Sequence, residues 1–120
     1  MNVQIFGTKK SQDTKKALRF FKERGVKPQF VDLKEREIAP GELKRFMQKA
    51  GLNALVDTKS KAYEKAGLEY MRMGDEAMME KLSQDPALMV QPLVRGGDTL
   101  TVGWDEAVWR KAYEAQKAQT

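Results

Sequence analysis

The residues best placed for chemistry lie in a loop between the first predicted strand and the first predicted helix. The loop and the first residue of the helix include the polar side chains Lys9, Lys10, Ser11, Gln12 and Asp13. Unpaired N–H groups and the helix dipole make a helix N-terminus suited to an anion, and the two lysines would add positive charge. The alternative is structural, with Ser11 or Asp13 as the N-cap of the helix. We favour the cap over a working anion site.

Composition narrows the possible chemistry further, because the chain contains no cysteine and no histidine. Thiol chemistry, disulfides and the usual Ser/His/Asp and Cys/His catalytic sites cannot be built. The commonest ligand for transition metals is also missing. Carboxylate, lysine and tyrosine side chains remain, but no local motif points to their use. We therefore predict no metal and no cofactor, and favour a protein that is not an enzyme.

Length and composition are those of one globular domain spanning residues 1–120. Hydrophobic residues make up 41% of the chain and charged residues 32%, which is typical of a soluble protein. The length is enough to bury a core without disulfides. No apolar run approaches a membrane span, and the start of the chain lacks a signal peptide. We expect a cytoplasmic protein with no membrane contact.

The formal net charge of +5 favours acidic partners. Both nucleic acid and an acidic protein surface have that character. The basic residues are spread along the chain, however, without the aromatic interleaving of a nucleic-acid surface. We do not expect direct nucleic-acid binding.

The elements that position the loop follow from the hydrophobic pattern at the start of the chain. Residues 3–7 read as a strand, residues 13–24 as an amphipathic helix and residues 28–33 as a second, alternating strand. Gly25 is well placed to end the helix. This is a βαβ unit, so the two strands should be parallel.

The rest of the chain reads as helices followed by a hairpin and a last helix. Pro40 can start a helix that ends at Gly51, and the pattern stays helical over an insert of about residues 39–88. Strands at residues 90–94 and 100–104 flank a Gly-Gly turn. The last helix should turn Val108 and Trp109 inward. The predicted fold class is α/β, with a four-stranded mixed sheet in the order βαβ...ββα and an all-helical insert between the halves.

Three further segments carry a resemblance to a known family. Residues 55–63, L-V-D-T-K-S-K-A-Y, resemble the pattern L-F-N-T-R-G-x-x-Y, and residues 80–94 resemble L-x-x-N-P-x-L-I-x-R-P-I-V. Residues 98–104 end in the Gly-(Phe/Trp) pair of a last strand. In this order and spacing, the segments and the first loop resemble the arsenate reductase family that includes the Spx regulators.

The resemblance implies a thioredoxin-like fold and a changed active site. The nucleophilic cysteine of the family falls on Ser11, the arginine before its proline falls on Gln91, and a second arginine falls on Lys59. Pro92 corresponds to the cis proline that faces the active-site loop. The implied ligand site, a vestigial anion site, comprises Lys9, Lys10, Ser11, Gln12, Asp13, Gln91, Pro92 and Arg95.

The resemblance also suggests what the protein would do. It implies a redox-inactive binding or regulatory protein, and in an Spx-like version a transcription regulator that binds the RNA polymerase α subunit. The alternative is a protein related to oxidoreductases that binds glutathione or an oxyanion, with Ser11, Lys9, Lys10 and Arg95 as contacts.

Overall fold

Strand β1 lies at the centre of the sheet and carries the candidate loop at its C-terminal end. The computed structural model describes residues 2–68 and 71–118. Within these ranges the sheet has the order β2-β1-β3-β4. Its strands are β1 (Val3–Gly7), β2 (Gln29–Asp32), β3 (Leu93–Gly96) and β4 (Thr99–Val102). β1 is parallel to β2 and antiparallel to β3, and β3 is antiparallel to β4, which confirms the predicted mixed sheet.

Helices fill the connection between β2 and β3, as predicted. The α-helices are α1 (Gln12–Glu23), α2 (Pro40–Ala50), α3 (Leu52–Leu55), α4 (Lys61–Lys65), α5 (Asp75–Gln84) and α6 (Glu106–Ala118), and a 3-10 turn covers Pro86–Leu88. One strand-like contact interrupts the helical insert, an antiparallel bridge between Val56 and Met89. None of the described helices is long and apolar enough to cross a membrane.

The bounds of the two hairpin strands differ from those that the sequence pattern predicts. The first strand begins and ends later than predicted, and the second begins and ends earlier. β3 starts at Leu93, whereas the prediction began at Val90. The reason is that Val90 is already committed to the insert, because its N–H donates to the Leu55 carbonyl at 2.8 Å. β4 ends at Val102, and Gly96 pairs with Thr99 across the turn. The loop between the strands therefore has two residues, Gly97 and Asp98.

The two faces of the sheet bury separate cores. On one face, Phe6 and Leu93 pack with Leu43 and Phe46 of α2, and the rings of Phe6 and Phe46 meet edge to face with centroids 5.9 Å apart. On the other face, α1 and α6 cover Ile5. Strand β1 is therefore shielded from water on both faces of the sheet.

Helix α6 packs on that second face through Trp109, which is 1% exposed, while Val108 is 38% exposed. The prediction that Val108 turns inward is wrong. Consecutive helical residues point about 100° apart, so the face that buries Trp109 leaves its neighbour outside.

Candidate functional site

The loop after β1 is closed by the cap of helix α1. Ser11 Oγ accepts a hydrogen bond from the Thr14 backbone N–H at 3.1 Å, and the Ser11 N–H donates to the Thr8 carbonyl at 3.1 Å. Asp13 lies in the first turn of α1, where a negative charge is favoured by the helix dipole. Ser11 is therefore the N-cap, one of the two residues that the sequence offered for this role.

Gln91 ties the same loop to the end of the helical insert. Its Oε1 accepts from the Thr8 backbone N–H at 2.8 Å and from Thr8 Oγ1 at 3.2 Å. Its Nε2 donates to the Pro86 carbonyl at 2.8 Å. The Gln91-Pro92 peptide bond is cis, as the resemblance implied. The Gln91 amide thus bridges two chain segments that lie far apart in sequence.

A cavity of about 760 Å³ opens between the loop and the insert, and we call it the loop cavity. Its walls include five of the predicted site residues: Lys10, Ser11, Gln12, Asp13 and Gln91. Its ionisable wall residues are two lysines, Lys10 and Lys34, and three aspartates, Asp13, Asp57 and Asp85. A wall of mixed charge suits a ligand that carries both signs better than it suits a simple anion.

Three of the predicted site residues do not reach this cavity wall. Pro92 is buried, and Lys9 lines a separate groove beside β2. The guanidinium of Arg95 forms an ion pair with Glu42 of α2. Strand register explains the position of Arg95: it pairs with Gln4, and therefore lies toward the end of β1 opposite the loop.

The insert contributes wall residues that sequence reasoning did not select. Asp57 follows α3, and its Oδ1 accepts the Lys59 N–H at 3.2 Å. Asp85 precedes the 3-10 turn and accepts the Ala87 N–H at 3.2 Å. Both sit in the motif segments on which the resemblance depends, and both are turn-forming residues. Their turn-forming role is enough to explain their residue types. Only the tertiary packing places them on the cavity wall.

A model of the ArsC family matches residues 6–112 of the chain, a range that includes the loop, the insert and the hairpin. The chain belongs to the ArsC family. The matched range contains every residue that lines the loop cavity.

Relatives of this ArsC family protein have diverged widely in sequence. An arsenate reductase from Neisseria meningitidis is 25% identical over 104 residues, which are 84% of this chain and 89% of the relative. A solved arsenate reductase from Vibrio cholerae is 22% identical with a TM-score of 0.75, covering 98% of this chain and 97% of its own. An ArsC family related protein from Bacteroides fragilis is 20% identical with a TM-score of 0.78, covering 93% and 98%. The two structures establish the shared fold.

Removal of the Ser11 hydroxyl is expected to destabilise this ArsC family protein. Ser11→Ala leaves the Thr14 N–H without its capping acceptor, and we expect the free energy of unfolding to fall by about 1 kcal/mol. Ser11→Asn restores a capping oxygen and should recover most of the loss. Urea denaturation of the three proteins makes the comparison. Equal losses for the alanine and asparagine variants would contradict the capping role.

Arginine at position 91 is also expected to destabilise the fold. Arginine has only donors, so Gln91→Arg leaves Thr8 without the acceptor that holds its N–H. We expect a loss of about 1–2 kcal/mol in the free energy of unfolding. Gln84→Arg makes the same chemical change at an exposed position of α5 and should cost less than about 0.5 kcal/mol. A Gln91→Arg variant as stable as this control in urea denaturation would show that the bridge contributes nothing.

Proposed function

We propose that this chain is a redox-inactive ArsC family protein that works by binding and not by reducing arsenate. On this proposal Ser11 stands where reductases of the family carry the nucleophilic cysteine. The observation that carries it is the commitment of Ser11 Oγ to the Thr14 N–H, in a chain without cysteine or histidine. A serine hydroxyl needs an activating base to act as a nucleophile.

The environment of Gln91 supports the same proposal. The resemblance assigns this position to an arginine that would stabilise the charge of a bound oxyanion. Gln91 is neutral, and its amide already makes three hydrogen bonds to Thr8 and Pro86. Lys59 stands at the position of a second arginine, and it cannot grip an oxyanion with two parallel hydrogen bonds as arginine does. The positive charge that a reductase needs beside arsenate is thus absent at Gln91, and the two-point grip of arginine is absent at Lys59.

The charges on the wall of the loop cavity favour a small ligand of mixed charge, and the candidate ligand is glutathione. Glutathione carries one ammonium group and two carboxylates, and the cavity wall offers both lysines and aspartates. A volume of about 760 Å³ is also in the range of small-molecule sites. Three aspartates in the wall would repel a bare oxyanion, so an oxyanion is the weaker candidate.

Titration of the isotope-labelled protein with glutathione, followed by NMR, tests this ligand. We expect saturable shifts in the amides of residues 10–13 and 85–91. Lys10→Gln should weaken the affinity several-fold, whereas Lys16→Gln, an exposed lysine on α1, should leave it unchanged. The absence of saturable shifts at the loop would contradict glutathione binding.

A protein partner is the second candidate, and the net charge of +5 favours it. We propose the RNA polymerase α subunit as that partner, in line with the resemblance to Spx regulators. A chain without cysteine could not switch this interaction through a disulfide, so binding should be the same under oxidising and reducing conditions. A pull-down with purified α subunit tests the idea. Recovery of no α subunit under either condition would remove it.

A further inference from the structure

A row of polar side chains crosses the face of the sheet that α2 covers. Gln4 of β1 pairs with Gln29 of β2 on one side and with Arg95 of β3 on the other. Side chains two residues apart on a strand share a face. Gln4 and Arg95 therefore lie on the same face as Phe6 and Leu93, which belong to the apolar core. On this face, the apolar core ends at Phe6 and Leu93, and polar side chains replace it at the end of β1 opposite the loop.

A second cavity, of about 540 Å³, opens over this row, and we call it the basic cavity. Its wall contains three cationic side chains, Lys27, Arg45 and Arg95. The wall also contains three side-chain amides, those of Asn2, Gln4 and Gln29, and no carboxylate among its described residues. Three cationic side chains on the wall of one cavity favour an anionic ligand over a neutral or cationic one.

Arg95 is held in place at this cavity by Glu42. The ion pair joins Arg95 Nη1 to Glu42 Oε1, and the two side chains are 28% and 23% exposed. A guanidinium carries five N–H donors in a fixed plane, so the pair with Glu42 leaves donors for a ligand. Glu42 offsets one of the three positive charges at the cavity and leaves the excess positive.

Two buried acceptors beside the ion pair make no hydrogen bond to any described residue: Gln4 Oε1 and Glu42 Oε2. A buried polar atom without a partner costs about 1–3 kcal/mol. A smaller cavity of about 270 Å³ has both Gln4 and Glu42 in its wall, but these two oxygen atoms have almost no surface of their own open to solvent. The groups open to a ligand are therefore those of the basic cavity wall.

We propose that the basic cavity binds a small molecule through its phosphate group. Arg45, Lys27 and the free N–H groups of Arg95 bind the phosphate oxygens, as arginine and lysine do elsewhere. Glu42 is the positioning residue for Arg95. This site lies apart from the loop cavity, and the inference does not depend on what binds there.

NMR titration of the isotope-labelled full chain tests the proposal with three probes: glucose 6-phosphate, inorganic phosphate and glucose. Sodium chloride keeps the ionic strength at about 0.15 M throughout, so that general screening is constant. We expect saturable shifts at the amides of Asn2, Lys27, Gln29 and Gly97. Glucose 6-phosphate and inorganic phosphate should both give these shifts, because the cationic side chains recognise the phosphate group that the two probes share. Glucose alone should give no shift.

Matched variants assign the binding to the named side chains. Arg45→Gln should weaken glucose 6-phosphate binding about tenfold, and Arg19→Gln, an exposed arginine on α1, should leave it unchanged. The proposal is overturned if neither phosphate probe gives saturable shifts, if the shifts fall at the loop cavity, or if Arg45→Gln binds as wild type does.

Discussion

Replacement of Trp109 by alanine is expected to lower the free energy of unfolding by about 3–5 kcal/mol. Trp109 is 1% exposed, and its ring centroid lies 5.8 Å from those of both Phe20 and Phe21 on α1. Its Nε1 donates to Thr101 Oγ1 at 2.7 Å. The truncation leaves a cavity under the helix that carries the loop and removes the donor for a buried hydroxyl.

Trp104 provides the matched control for this prediction. Its ring meets that of Trp109 with centroids 5.0 Å apart, yet its side chain is 42% exposed. Trp104→Ala should therefore cost about 1 kcal/mol. Urea denaturation of both variants makes the comparison. A loss for Trp109→Ala no larger than that for Trp104→Ala would contradict the place of Trp109 in the core beneath α1.

The second large effect is expected at Gly7, where β1 passes beneath the start of α1. A Cβ atom on Gly7 would lie 2.4 Å from Thr14 Oγ1 and 2.7 Å from Thr14 Cγ2. Thr14 is fully buried and β-branched, so its side chain cannot rotate freely out of the way. We expect Gly7→Ala to cost about 3 kcal/mol of unfolding free energy and to displace the Ser11 loop.

A rescue variant separates this contact from other effects of the added methyl group. Thr14→Ala removes the two closest atoms that the new Cβ would meet and leaves Thr14 Cβ at 3.1 Å. Thr14 Oγ1 makes no hydrogen bond to a described residue. The backbone N–H that Ser11 caps is kept. In a double-mutant cycle, Gly7→Ala should cost at least about 1 kcal/mol less in the Thr14→Ala background. Strictly additive losses in urea denaturation would show that the two residues do not meet.

Much of the fold could be predicted because its elements have strong local signals. The apolar spacing around Phe20 and Phe21 indicated α1, and Pro40 marked the first residue of α2. The glycines of the hairpin indicated a turn, but the bounds of its strands depend on partners elsewhere in the chain. Val90 bonds to Leu55, and no local pattern could reveal that a bridge to the insert precedes β3.

The same dependence on register explains what could be predicted of the loop cavity. Ser11 as a helix cap follows from residue type and position alone, and the structure confirms it. The sequence analysis grouped Arg95 with the loop. The pairing of β3 with β1 instead places Arg95 beside Gln4, at the far end of β1. The aspartates of the cavity wall come from the insert, and their sign changes the charge of the cavity. Local sequence patterns therefore identified the loop, but not the aspartates of the insert that set the charge of the cavity wall.

Arsenate turnover by the wild-type protein tests the central claim most directly. The assay follows NADPH oxidation with arsenate as substrate and either the glutathione and glutaredoxin system or the thioredoxin system as reductant, with the Vibrio cholerae arsenate reductase as a positive control. We expect no oxidation above the rate without protein, because the chain has no thiol and Ser11 caps a helix. Turnover that rises in proportion to the concentration of this protein would contradict a redox-inactive role.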